Sequence, residues 1–188
     1  MGKLLLALLL GLALPCQAEV DLKSLREGGY VLYLRHASTD FSQNDAAMKS
    51  YDDCASQRNL TDKGRGEARL IGEQVKRLGI PIGNVLASPF CRTMETARLA
   101  FGKAQAMNEV RGGPVRTEDP KRYESLRKLM ATKPASGTNT VISSHANPFY
   151  ALVGPPYLAE GEMAVVRPGD DSFAVVGRIR VEDWQALQ

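Results

Sequence analysis

Val31-Leu32-Tyr33-Leu34-Arg35-His36-Ala37-Ser38-Thr39-Asp40, the stretch VLYLRHASTD at residues 31–40, is an apolar run that stops at an arginine and a histidine side by side. The run from Tyr30 to Leu34 is rich in β-formers and too short for a helix, so it reads as a buried strand with His36 at its end. The chain has only two histidines in 188 residues. Two further strands are expected over Gly83–Ser88 (GNVLAS) and Asn139–Ser144 (NTVISS), and the second histidine, His145, directly follows the last of them. Both histidines therefore fall where a strand gives way to a polar loop.

Helical patterns lie between these strands. Ala68, Ile71, Val75 and Leu78 share one face of a helix expected over 66–78. Ser88-Pro89 reads as a helix start, since serine caps and proline suits a first turn. Asp119-Pro120 repeats that signal before Tyr123, Leu126 and Met130, and Pro134 closes the segment. Alternating strands and helices imply an α/β fold, a three-layer sandwich with a mainly parallel central sheet flanked by helices. At the end of the chain, EMAVVRP and FAVVGRIRV flank Gly169-Asp170-Asp171, which predicts a C-terminal hairpin, and EDWQAL predicts a short last helix.

Residues 1–18 have a single early charge, Lys3, an apolar stretch from Leu4 to Leu14, then Pro15 and Cys16-Gln17-Ala18. This is the pattern of a secretory signal peptide cleaved after Ala18. The stretch is short for a membrane span, and Leu14-Pro15 fits a lipoprotein signal poorly. The expected mature chain, residues 19–188, is one domain, periplasmic or secreted, with no membrane span. The net charge of +3 falls to +2 without Lys3, too mild to imply a nucleic-acid partner. Two cysteines remain, Cys54 and Cys91. An even count in an exported chain favours a disulfide between them. The alternatives are two separate buried thiols or a reactive Cys91 at a helix start.

In an open α/β sheet, ligands bind beyond the carboxyl ends of the strands. Arg35, His36 and His145 lie at such ends, and Arg92 falls in the first turns of the helix after Ser88-Pro89. Arginine forks match phosphate oxygens and stay charged. Neutral imidazole is a competent nucleophile, and a second imidazole, protonated, can meet charge on the group in transfer. The set reads as a phosphoryl-transfer site.

LRHAST, NLTDKGRGEARLIG, SPFCRTMETA and VISSHAN, in that order between Leu34 and Asn147, resemble the histidine phosphatase superfamily, which includes phosphoglycerate mutases and many phosphatases. The resemblance implies that His36 is the phosphorylated nucleophile, that Arg35, Arg92 and His145 form the phosphate pocket, and that Thr39 contacts substrate. Ala37 stands where the family usually has glycine. No cofactor or metal is implied. The family's leaving-group acid, a glutamate in a Leu-x-Glu setting, has no counterpart here, and His145 is followed by Ala146-Asn147 rather than by the aspartate of the acid-phosphatase branch. Glu118 and Glu160 are the candidate proton donors.

A cysteine phosphatase would need arginine six residues after its nucleophile, but Leu60 and Ala97 stand six residues after Cys54 and Cys91. A metal phosphatase needs clustered histidine and carboxylate ligands, for which two histidines are too few. The expected function is hydrolysis of a phosphate monoester through a phosphohistidine. Resemblance to exported phosphatases of lipopolysaccharide core heptose phosphate points to an envelope sugar phosphate. The alternative is a degenerate relative that binds a phosphorylated ligand without turnover.

Overall fold

Val31, Leu32, Tyr33 and Leu34 are all fully buried, so β1 (Val31–Arg35) is covered on both faces and must be central. The structure, a computed structural model, describes residues 21–115, 119 and 121–188. The expected signal peptide, residues 1–18, lies outside the described residues. Because alternate side chains of a strand point to opposite faces, β1 feeds two cores. Leu32 and Leu34 pack with residues of α1 (Leu22–Glu27), α2 (Asp62–Arg77) and α3 (Cys91–Phe101), together with Trp184. Val31 and Tyr33 pack with Leu126 and Met130 of α4 (Glu124–Ala131) and Phe149 of α5 (Ala146–Val153). That is the expected three-layer arrangement.

The sheet has six strands in the order β3-β2-β4-β1-β5-β6. β3 (Gln105–Ala106), β2 (Ile82–Ala87), β4 (Asn139–Ser144) and β1 run parallel. β5 (Met163–Pro168) runs antiparallel to β1 and pairs with β6 (Phe173–Ile179) as the C-terminal hairpin. EDWQAL belongs to a 3-10 segment over Val181–Ala186 rather than an α-helix, with Trp184 buried beneath it.

The two proline-based helix starts were misplaced. α3 begins at Cys91, with Phe90 at its N-cap and no side-chain cap, and the Ser88 hydroxyl goes instead to His145. α4 begins at Glu124, with Tyr123 at its N-cap after a turn over 121–123, and Pro120 lies outside the described residues. At α2 the cap is Thr61, whose Oγ1 accepts from the Gly64 N–H at 3.0 Å. Gly64 must be glycine: a Cβ there would lie 2.0 Å from the Ser38 carbonyl oxygen. The start of α2 thereby lies directly on the loop that follows His36.

Candidate active site

The site follows from strand register. Arg35 of β1 pairs with Ser144 of β4, so the next residue on each strand is a histidine. The backbone N–H of His36 donates to the Ser144 carbonyl at 3.0 Å, and the two imidazole rings stand 5.4 Å apart between centroids. Ser88, just past β2, donates its N–H to the Ser143 carbonyl at 2.9 Å, and its Oγ lies 2.8 Å from Nε2 of His145. Tyr33 donates its hydroxyl to the His145 carbonyl at 2.8 Å, and fixes that backbone from below.

His36 is 2% exposed. Its Nδ1 lies 3.0 Å from the Ala37 carbonyl oxygen. A carbonyl only accepts, so Nδ1 carries the proton and Nε2 holds the lone pair. Burial pushes His36 well below the ordinary imidazole value. The Ala37 carbonyl opposes this, and Arg92, Arg35 and Arg58 add to it. The nucleophile is therefore neutral at physiological pH. Burial also holds His145 well below the usual range, helped by His36 and the same arginines. In the free protein His145 is neutral, not the cation that its phosphate-pocket role suggests. A bound phosphate is the anion that would favour a proton there.

A cavity of about 300 Å³ opens on this cluster, lined by Arg35, His36, Asp45, Arg58, Arg92 and His145, with Phe90, Gly112 and Gly113 closing it. Arg35 donates from Nη1 to the Leu158 carbonyl at 2.7 Å. Arg92 lies over the Phe90 ring, and its terminal nitrogens donate to the Asp45 carboxylate at 3.0 and 3.1 Å. The Nε atoms of Arg35, Arg58 and Arg92 are all buried with no hydrogen-bond partner. An unpaired buried donor costs about 1–3 kcal/mol. The three arginines that carry these donors line one cavity, and guanidinium groups bind phosphate oxygens through paired N–H bonds.

Thr39 and Glu160 sit behind the nucleophile. Thr39 donates its hydroxyl to Glu160 at 2.6 Å and its N–H to the same carboxylate at 3.2 Å. That carboxylate is 3.8 Å from Nδ1 of His36 and 3.5 Å from Nη2 of Arg35. Glu160 thus reaches Nδ1, which takes no part in attack, where it can stabilise the imidazole as positive charge develops. Glu118, the other candidate donor, lies outside the described residues. Gly112 packs on the His145 ring, where an added Cβ would come within 3.1 Å of it. Cys54 and Cys91 form a disulfide, with Cα atoms 5.7 Å apart. Among the described residues, no group of three or more His, Cys, Asp and Glu side chains could hold a metal ion.

Arg58 and Asp45 escaped the sequence reading. Neither stands at a strand end. Both lie in the turn-rich segment between β1 and α2, which carries no periodicity to mark an inward-facing side chain.

Fold and site together define an α/β phosphoryl-transfer protein with a histidine nucleophile. Residues 31–119 match the sequence model of the histidine phosphatase superfamily, branch 1, and the chain belongs to that superfamily: it is a histidine-nucleophile phosphatase. No curated protein matches the chain. Among solved structures, it is similar to a phosphoglycerate mutase from Bacillus anthracis str. Sterne, with 12% identity, 86% of this chain and 98% of that one covered, and a TM-score of 0.59. It is similar as well to a mycobacterial glucosyl-3-phosphoglycerate phosphatase in complex with inorganic phosphate, at 14% identity, 82% and 99% coverage, and a TM-score of 0.59. The protein histidine phosphatase SixA complexed with tungstate matches at 20% identity, 82% and 98% coverage, and a TM-score of 0.55. At these identities the likeness establishes the fold.

Proposed function

We propose that this chain is an exported phosphomonoesterase that hydrolyses an envelope sugar phosphate through a phosphohistidine on His36. The observation that carries the chemistry is the Nε2 lone pair of His36 in a cavity with three guanidinium groups whose Nε donors are unpaired. Phosphate oxygens on Arg35, Arg58 and Arg92 would place phosphorus against Nε2. Attack forms the P–N bond and expels the alcohol, and water then releases phosphate. The guanidinium groups stabilise the charge on the transferring group throughout.

The N-terminal signal pattern and the Cys54–Cys91 disulfide support export. A polar cavity of about 300 Å³ suits a compact, hydrophilic ester better than a phosphoprotein surface. The mycobacterial protein of the same fold, named for a phosphorylated sugar conjugate, is consistent with a sugar-linked substrate.

The test is a panel of sugar phosphates, nucleotides, phosphoamino acids and p-nitrophenyl phosphate offered to the purified mature protein. Brief reaction with labelled substrate, followed by a denaturing quench, should trap an acid-labile, base-stable label on His36. Turnover without such a label would overturn the covalent mechanism. A preference for non-sugar esters would overturn the substrate class. Phosphate binding without hydrolysis of even the nitrophenyl ester would identify a degenerate binder.

A further inference from the structure

We infer that Asp45 is the proton donor to the leaving oxygen, held beside the phosphate site by Arg92. The inference rests on the phosphatase reading above. In an in-line displacement the leaving oxygen lies across phosphorus from the nucleophile. The donor must therefore face His36 across the cavity. Glu160 does not: it contacts His36 at Nδ1 and takes no part in lining the cavity. Among the described residues of the segment after β3, it is Gly112 that packs against His145. Among the described residues, Asp45 is the carboxylate that lines the cavity with both histidines.

Its attachment keeps it within reach of a bound phosphate. Arg92 uses Nη1 on Asp45 and on the Arg58 carbonyl, and Nη2 on the second oxygen of Asp45, while Nε has no partner. A guanidinium has five N–H donors. Arg92 can therefore take a phosphate oxygen at Nε while Asp45 stays at its outer end. One planar group then holds both partners, the phosphate and the carboxylate, side by side. A carboxyl beside phosphate oxygens can share a proton with them, and that is the proton that donation needs. The Asp45 side chain is about one-third exposed and belongs to a segment of turns, so small rotations can carry it to the ester oxygen.

The step balances. As Nε2 of His36 bonds to phosphorus, the bond from phosphorus to the ester oxygen breaks, and the Asp45 proton goes to that oxygen to release the alcohol. In the second half, the Asp45 carboxylate takes a proton from the attacking water. The new O–P bond forms, the P–N bond breaks, and its electron pair returns to Nε2.

Leaving-group dependence tests this role. Wild type, Asp45→Asn and Asp45→Glu would be assayed on nitrophenyl phosphate, phenyl phosphate and an alkyl phosphate. The nitrophenolate departs without a proton and an alkoxide does not. Asp45→Asn should lose less than about tenfold in kcat/KM on the nitrophenyl ester and about 10²–10⁴-fold on the alkyl ester. Asp45→Glu, which keeps a carboxyl, should regain part of the alkyl rate. An equal loss on all three esters, or no loss, would overturn the proposal and leave Asp45 as an anchor for Arg92. If Asp45→Asn fails to fold, the same comparison is made on Asp45→Glu: a loss concentrated on the alkyl ester supports the proposal, and a uniform loss overturns it. Failure of wild type on every ester would instead overturn the phosphatase reading itself.

Discussion

The Nδ1 atom of His36 is held 3.0 Å from the carbonyl oxygen of Ala37, and this single contact decides which nitrogen attacks. It fixes the proton on Nδ1 and leaves Nε2 free. Replacing His36 with alanine removes the nucleophile and should lower kcat by at least about 10³-fold on every ester. The variant should keep its fold, as checked by circular dichroism and a cooperative thermal melt. A variant retaining wild-type turnover would show that the phosphoryl group does not pass through His36.

Arg92 is nearly as buried as the nucleophile, and its planar group serves Asp45, the Arg58 carbonyl and the cavity at once. An ammonium cannot occupy those positions together. Arg92→Lys should therefore cost about 10²–10³-fold in kcat/KM. Arg58→Ala removes a guanidinium from the rim, where it stacks on exposed Phe41. It should raise KM about tenfold, in line with the ~1.5–3 kcal/mol typical of a hydrogen bond to a charged group, and change kcat less. Steady-state kinetics on a phosphomonoester checks both. Because guanidinium groups meet the phosphate charge, activity should also persist after exhaustive chelation; loss on chelation with rescue by added metal would count against this account.

The parts of the site that stand at strand ends were legible in the sequence; of the parts that reach it from loops, Thr39 and Glu160 were named from the family resemblance, and Asp45 and Arg58 were not. His36, His145, Arg35 and Arg92 sit one step beyond a strand or in the first turn of a helix, where a parallel sheet gathers residues whatever the loops do. Glu160 arrives because β5 runs antiparallel beside β1, so that the turn before it meets the end of β1: the Gly161 N–H donates to the His36 carbonyl at 3.0 Å. Local pattern cannot reveal that pairing. Asp45 and Arg58 sit among turn residues that read as solvated surface. The missed elements are short. β3 has two residues at the sheet edge. α5 has eight, with Pro148 in its first turn, where proline is tolerated but can be taken for a breaker.

Burial of both imidazoles makes stability depend on pH. The folded protein holds His36 and His145 neutral well below the ordinary imidazole value, while the unfolded chain protonates them near pH 6.5. Above that pH both states are neutral and the pair adds no slope. As pH falls below it, the unfolded state binds protons that the folded state refuses, so stability declines by about 1.4 kcal/mol per pH unit for each histidine until its folded value is reached. Urea denaturation between pH 7 and pH 5 should show this loss, and His145→Gln should reduce the slope by about half. An unchanged slope in that variant would place the protons elsewhere.

The Cys54–Cys91 bridge joins the segment that carries Asp45 and Arg58 to the first residue of α3, next to Arg92. It spans 37 positions of sequence. In the chain-entropy account, closing a loop of that size stabilises the fold by about 3–4 kcal/mol. The same link restricts the distance between two loops that share the cavity, and placement of the binding groups governs transfer. Cys91 is held at one further point: its N–H donates to Oε1 of Gln57 at 2.9 Å, and Gln57 in turn donates to the Tyr51 carbonyl at 2.9 Å. Thiol titration of unreduced, denatured mature protein should find no free cysteine. Cys54→Ser with Cys91→Ser should lower the urea-derived stability by about 3–4 kcal/mol and reduce kcat/KM. Two free thiols in protein purified from an oxidising compartment would rule the bridge out. A loss of activity in Cys91→Ser but not in Cys54→Ser would instead assign Cys91 a chemical role of its own.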